Sequence, residues 1–210
     1  MTYTEIAADV ISWLNRTGFT NLEAEVPTFV EFAQRRIWRK ADFNAMLTEV
    51  SFDTDTPTIP VDLLRVHTMT IPNGSRLVEV NGTPLKKVIQ EGSSVGVPCF
   101  YAPVGLNFRF GPTPDTNYPV DLVYYASLPN ISPSVATNWV SDNNPELILF
   151  GALLEACLWL KDDTRASVWE GRFQETLTNL QNSENKMGYE DGALRTYATG
   201  VRLSDSVRAN

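Results

Sequence analysis

Apolar residues recur at helical spacing at both ends of this chain and at strand spacing in its middle. Ile6, Val10, Trp13 and Leu14 fall on one face, Thr2 and Glu5 have the spacing of a reciprocal N-terminal cap, and Gly18 offers a stop. A first amphipathic helix is therefore predicted over about residues 3–16. Val26, Phe29, Val30, Ala33 and Ile37 repeat the pattern with Pro27 in the opening turn, which predicts a second helix from about Pro27 to Phe43. From Glu49 to Ser127 β-branched and aromatic residues alternate with polar ones, and turn dipeptides recur. Leu64 to Ile71 alternates, Asn73-Gly74 is a type I′ hairpin signal, and Arg76 to Val80 returns as the partner strand. A short helix opened by Pro84 is predicted over Thr83 to Glu91. Cys99 to Ala102, Leu106 to Phe110 and Pro119 to Ser127 read as three more strands, with Gly105 turning between the first two.

The densest apolar stretch is Asn144 to Leu160. Asn144 is placed to cap it, Pro145 suits its first turn, and Glu146 suits the positive end of the helix dipole. Leu147, Ile148, Phe150, Leu153, Leu154, Cys157, Leu158 and Leu160 wrap most of the circumference, so the helix must be enclosed. Its 14 residues from Leu147 carry Glu155, and a bilayer span takes roughly 20 apolar residues, so the enclosure is protein. After Asp162-Asp163-Thr164 a further helix is predicted over 164–186, with Val168, Trp169, Phe173, Leu177 and Leu180 on one face, antiparallel to the core helix. Beyond Gly188 the periodicity stops. Leu194, Tyr197, Val201 and Leu203, with Arg195 and Arg202, are spaced along a polar arm of the kind that orders against a partner. The predicted fold is α+β. A helical bundle from both chain ends (1–48 and 138–187) surrounds the central hydrophobic helix, an antiparallel β-rich module (49–137) is inserted, and an extended tail (188–210) follows.

Charge narrows the function. Net charge is −8, with −2 over residues 1–50, −2 over 51–141, −4 over 142–187 and zero beyond. That is the reverse of a nucleic-acid footprint. The one concentrated basic group, Arg35, Arg36, Arg39 and Lys40, complements the negative end of the second helix as a solvated face, or else meets an acidic partner or passing DNA phosphates. His67 is the single histidine, so metal and histidine-dependent sites lack ligands, and no catalytic, cofactor or metal residues are assigned. Cys99 and Cys157 read as two buried thiols. The pairs Asp53/Asp55 and Asp162/Asp163 sit beside turns, where Asp is common for backbone reasons; glycan hydrolysis by Asp53 and Asp55 is the enzymatic alternative. The N-terminus has no basic region, apolar run or cleavage site of a secretory signal, so synthesis in a cytoplasm is expected.

Several phrases together resemble the head-to-tail adaptor (connector) proteins of tailed bacteriophages, the class that includes the P22-like tail accessory factor and the T7-like tail tubular adaptor. They are Val26-Pro-Thr-Phe-Val-Glu-Phe-Ala-Gln-Arg-Arg-Ile37, Ile59-Pro-Val-Asp-Leu-Leu-Arg-Val66, Pro98-Cys-Phe-Tyr101, Phe108-Arg-Phe-Gly-Pro-Thr-Pro114, Tyr118 to Tyr125, and Asn138-Trp139 ahead of Asn144-Pro-Glu-Leu147. The resemblance implies a structural virion protein that forms a ring of twelve identical subunits beneath the portal. It would join the portal to a tail or nozzle protein, with genomic DNA passing through the lumen without sequence-specific binding. It also implies a C-terminal arm docked on the portal. A tail completion or terminator protein is the structural alternative.

Overall fold

Thr2 accepts a hydrogen bond from the Glu5 amide while the Glu5 carboxylate accepts from the Thr2 amide, and this reciprocal cap opens α1, Tyr3–Leu14. The computed structural model describes residues 1–15, 18–73 and 76–190. Tyr3, Ile6, Val10 and Leu14 are the buried stripe of α1, and Trp13, expected on that face, is 46% exposed. The helix stops at Asn15, whose left-handed φ of 52° replaces the stop expected at Gly18; asparagine tolerates that conformation nearly as well as glycine.

The second helix, α2, runs Thr20–Lys40, so Pro27 lies inside it instead of opening it. Leu22 and Val26 extend the stripe of Phe29, Val30, Ala33 and Ile37 toward the N-terminus, and burying them offsets the hydrogen bond that proline removes. The chain leaves α2 extended at Ala41, and Ala41, Phe43 and Met46 remain fully buried through a short 3-10 turn, Asn44–Met46.

Seven strands follow: β1 (Leu47–Asp53), β2 (Leu63–Asn73), β3 (Arg76–Glu79), β4 (Asn81–Gly82), β5 (Phe100–Val104), β6 (Asn107–Gly111) and β7 (Pro119–Ala126), with α3 (Leu85–Glu91) after β4. One sheet has the order β1-β7-β2-β3 and the other β4-β5-β6. All strand pairings are antiparallel except the two-residue pairing of β4 with β5. The alternation expected across Leu64 to Ile71 is interrupted because β2 shifts register against β7 twice, so only Met69 and Ile71 of that stretch are fully buried. In β7 the alternation is unbroken, and Val120, Leu122, Tyr124 and Ala126 point inward. Gly105 turns β5 into β6 with a φ of 62°, as expected for a residue that must enter the left-handed region. Asn73, expected inside the hairpin turn with Gly74, instead pairs with Arg76 as the last residue of β2; Gly74 lies outside the described residues.

The remaining helices are α4 (Trp139–Asn143), α5 (Pro145–Trp159) and α6 (Asp163–Glu190). Asn144 makes no side-chain cap on α5. Its amide is instead held by the Val140 carbonyl, because α4 ends where α5 begins, and Pro145 needs no amide partner. Asp162 caps α6 by accepting from the Arg165 amide. Ala166, Phe173, Leu177 and Leu180 are buried along α6, with Trp169 half-buried; Val168, expected on this face, is 57% exposed because it lies two residues, about 200° of rotation, from Ala166.

Two apolar clusters result. The first joins α1, α2, α4, α5 and α6 through residues such as Ile6, Leu22, Val30, Ile37, Leu147, Leu153 and Phe173. The second lies among the strands, around Met69, Ile71, Phe108, Val120 and Leu122. The connector 127–138 is pinned to α2: buried Gln34 donates to the Ile131 carbonyl and accepts from the Ile131 amide, and the Trp38 indole donates to Asn130. At the α2–α5 crossing a Cβ on Gly151 would stand 2.8 Å from the Ala33 Cβ, so the two backbones meet where neither helix carries bulk.

Two glycines should respond oppositely to alanine. Gly151→Ala is expected to lower stability by about 1–3 kcal/mol through overpacking, whereas Gly171→Ala, with open space around it, should raise it by about 0.5–1 kcal/mol through helix propensity. Leu154→Ala and Trp169→Ala should each cost about 2–5 kcal/mol through the cavity left behind. Chemical denaturation checks all four, and a Gly151→Ala chain more stable than the parent would contradict the α2–α5 seam.

Candidate functional site

The four basic residues at the end of α2 occupy two stripes. Positions 36 and 40 turn toward α5 and α6, while 35 and 39, with Phe32 one turn earlier, turn outward. Arg36 donates from Nε, at 3.1 Å, and from Nη2 to Glu155 Oε1, and from Nη1 to Glu170 Oε2 at 3.2 Å. Lys40 stands 3.6 Å from Glu170 Oε1 and 5.7 Å from the centre of the Phe173 ring. These two cations are thus neutralised across the seam between α2, α5 and α6, and Arg36 with Glu155 is partly shielded from solvent. Glu155 is a signal that sequence reasoning read only as an argument against a bilayer span. A lone carboxylate in an apolar helix is retained only with a partner, and Arg36 is that partner.

Arg35 and Arg39 differ. Among the described residues Arg35 pairs only with Glu31, one turn back on the same exposed helix face, at 2.6 Å, and such pairs are worth about 0.3–0.5 kcal/mol. Arg39 has no ion pair among the described residues. The two form a ridge between two recesses. One, of about 480 Å³, is lined by Phe32, Arg35, Arg36, Arg39, Lys40 and Glu155. The other, of about 460 Å³, is lined by Arg35, Trp38, Arg39, Leu64 and the segment Ser127 to Asn130. A third recess, apolar and of similar size, opens between the sheets among Ile59, Leu63, Val66, Tyr101 and Phe108.

The other candidate groups are dispersed. Asp53 ends β1 and Asp55 lies in the turn beyond it, both exposed, and neither lines any of the three recesses. Asp162 and Asp163 serve the start of α6. His67 is exposed on β2 with its ring edge-on to Tyr125. Cys157 is buried as expected, but Cys99, just before β5, is only half-buried; both are free thiols. Among the described residues no three His, Cys, Asp or Glu side chains converge as a metal site, and no helix is long and apolar enough to cross a membrane. Leu194, Arg195, Tyr197, Val201, Arg202 and Leu203, the expected docking residues of the arm, lie outside the described residues.

Burial pushes the Cys157 thiol above its ordinary range and does the same for the hydroxyls of Tyr3, Tyr101, Tyr124 and Tyr125. Tyr118 is raised chiefly by donating to Asp115, and donation to Asp62 adds to the shift of Tyr124.

The family model described as SU10 adaptor protein matches residues 1–197, which takes in every element above. No curated protein matches the chain.

The raised acids all stay protonated longer in the folded chain than in the unfolded one. Each such group contributes fully below its unfolded value, about 8.5 for the thiol and about 10 for the tyrosines, and the contribution is lost as pH rises from there through the raised folded value. Thermal midpoints measured from neutral to alkaline pH should be level at first and then fall, and a midpoint that climbs above pH 9 would contradict the burial of these groups.

Proposed function

The chain belongs to the SU10 adaptor protein family, a bacteriophage structural family, and from that premise we propose that it is the head-to-tail adaptor of a tailed phage. The observation that carries this reading is the extent of the match, residues 1–197, which covers both apolar clusters and the connections between them. Such an adaptor is a virion component that associates with other virion proteins. We assign residues 1–48 and 138–187 to a helical bundle domain around α5, residues 49–137 to an inserted β-rich module, and residues 188–210, the first three of which still belong to α6, to an arm. In the proposed assembly twelve copies form a ring beneath the portal, the helices make its wall, and the β module faces the tail or nozzle protein.

Charge supports a channel through which DNA slides. Net charge is −8, and Arg36 and Lys40 are held by Glu155 and Glu170, so the basic cluster keeps two outward cations instead of four. These two outward cations per chain are set against a net charge of −8, the reverse of the basic excess by which proteins retain a duplex. We therefore read the cluster as a protein-facing surface. The arm, with Leu194, Tyr197, Val201 and Leu203 between Arg195 and Arg202, is read as the segment that docks on the portal and orders there.

Because α6 extends to Glu190, the arm is tested by removing residues 191–210 and leaving the helix whole. The truncated chain should melt with the parent and fail to be captured by purified portal protein, while the full chain gives rings in class averages only when portal is present. A truncated chain that melts earlier yet binds portal with parental affinity would transfer docking from the arm to the helices.

A further inference from the structure

The Arg35–Arg39 ridge has more positive charge than its own surroundings compensate. The opposite condition holds at the far end of the main sheet. Asp53 closes β1, Asp55 follows in the turn where its amide donates to Asn117, and Asp115 accepts from the Tyr118 hydroxyl just before β7. All three carboxylates are exposed, and none forms an ion pair among the described residues. Strand β7 links the two places. It starts at Pro119, directly opposite Asp53, and ends at Ala126, next to the Ser127 to Asn130 segment that lines the second recess. Eight residues at about 3.3 Å each separate its ends by about 25 Å, so the acidic end cannot reach the ridge of its own chain.

We infer that the ridge receives the acidic sheet end of a second copy, with Asp53, Asp55 and Asp115 of one chain set against Arg35 and Arg39 of the next. Apolar rims accompany the charges on both sides: Phe32 is 47% exposed on the ridge, and Phe52 and Tyr118 are half-buried beside the carboxylates. The two patches are different surfaces at opposite ends of one sheet, so the contact is head-to-tail. Repetition of such a contact closes a ring or extends a filament and does not stop at a dimer. The inference rests on the reading of the basic cluster as a protein-facing surface, and it names the protein as another copy of this chain.

Charge reversal tests it with full-length chains. One variant carries Arg35→Glu and Arg39→Glu, and the other Asp53→Lys and Asp55→Lys; thermal melts establish that both fold. At low ionic strength and high concentration the parent should self-associate weakly, in a salt-sensitive way. Each variant alone should associate at least about fivefold less, and an equal mixture should recover association, because each then offers the other a complementary surface. In a third variant, Arg39→Lys, a carbodiimide should join the new amine to Asp53 or Asp55, a link that distance forbids within one chain. A mixture that fails to recover, or a third variant without that link, overturns the inference. So does a ridge-reversed chain that self-associates like the parent but loses portal capture or duplex DNA retention, which would give the ridge to those partners. Portal capture by the parent chain is read separately, so a chain that shows the cross-link but never binds portal refutes the portal-docking reading and leaves the copy-to-copy contact standing.

Discussion

A helix without a polar face has to be surrounded, and the placement of the other helices follows from that requirement of α5. Leu147, Ile148, Leu153, Ala156 and Cys157 are fully or almost fully buried, and they lie on different sides of the helix. No single neighbour can cover such a surface. α1 and α2 approach from the N-terminal part of the chain and α6 returns from the C-terminal side, so the enclosure draws on segments more than a hundred residues apart. Gly151 lets α2 come close enough to complete it. Toward its C-terminal end α5 opens again, where Leu158 and Trp159 are about half exposed and the Trp159 ring meets Phe29 of α2 edge-on.

Electrostatics then divides the basic cluster. Glu155 and Glu170 take Arg36 and Lys40 into the helical seam, and the ridge of Arg35 and Arg39 is what remains for other molecules. A cluster of four cations in the sequence is two structural and two available in the fold. The same division halves the positive charge that the cluster can offer to another molecule.

Much of this was readable from the residues. The cap at Thr2, the alternation in β7 and the apolar circumference of α5 are local patterns with one physical solution each, and they place the helices and the sheet. Pro27 misled because local propensity argues for a helix start, whereas burial of Leu22 and Val26, visible only in the assembled core, carries the helix two turns further. Val168 misled in a similar way, since a β-branched apolar residue near the predicted stripe looks buried until the rotation of α6 is fixed by Phe173 against Gly151. For the surface, the sequence could list the four cations but not their counter-charges, because the partners of Arg36 lie 119 and 134 residues away.

The attachments of the strands to the helices have a mechanical consequence. The chain passes into the strands from the end of α2, at Ala41, through the buried 3-10 turn, and returns through the connector whose Asn130 and Ile131 are bonded to Trp38 and Gln34 of the same helix. Both crossings therefore bear on about the last two turns of a single helix. A pull along β7 loads these bonds together, in shear, and a sideways push on the strands reaches α2 as a torque about its axis. A load on the strands would therefore be borne first by Gln34, Trp38 and the exit at Ala41, not taken up in a loose linker.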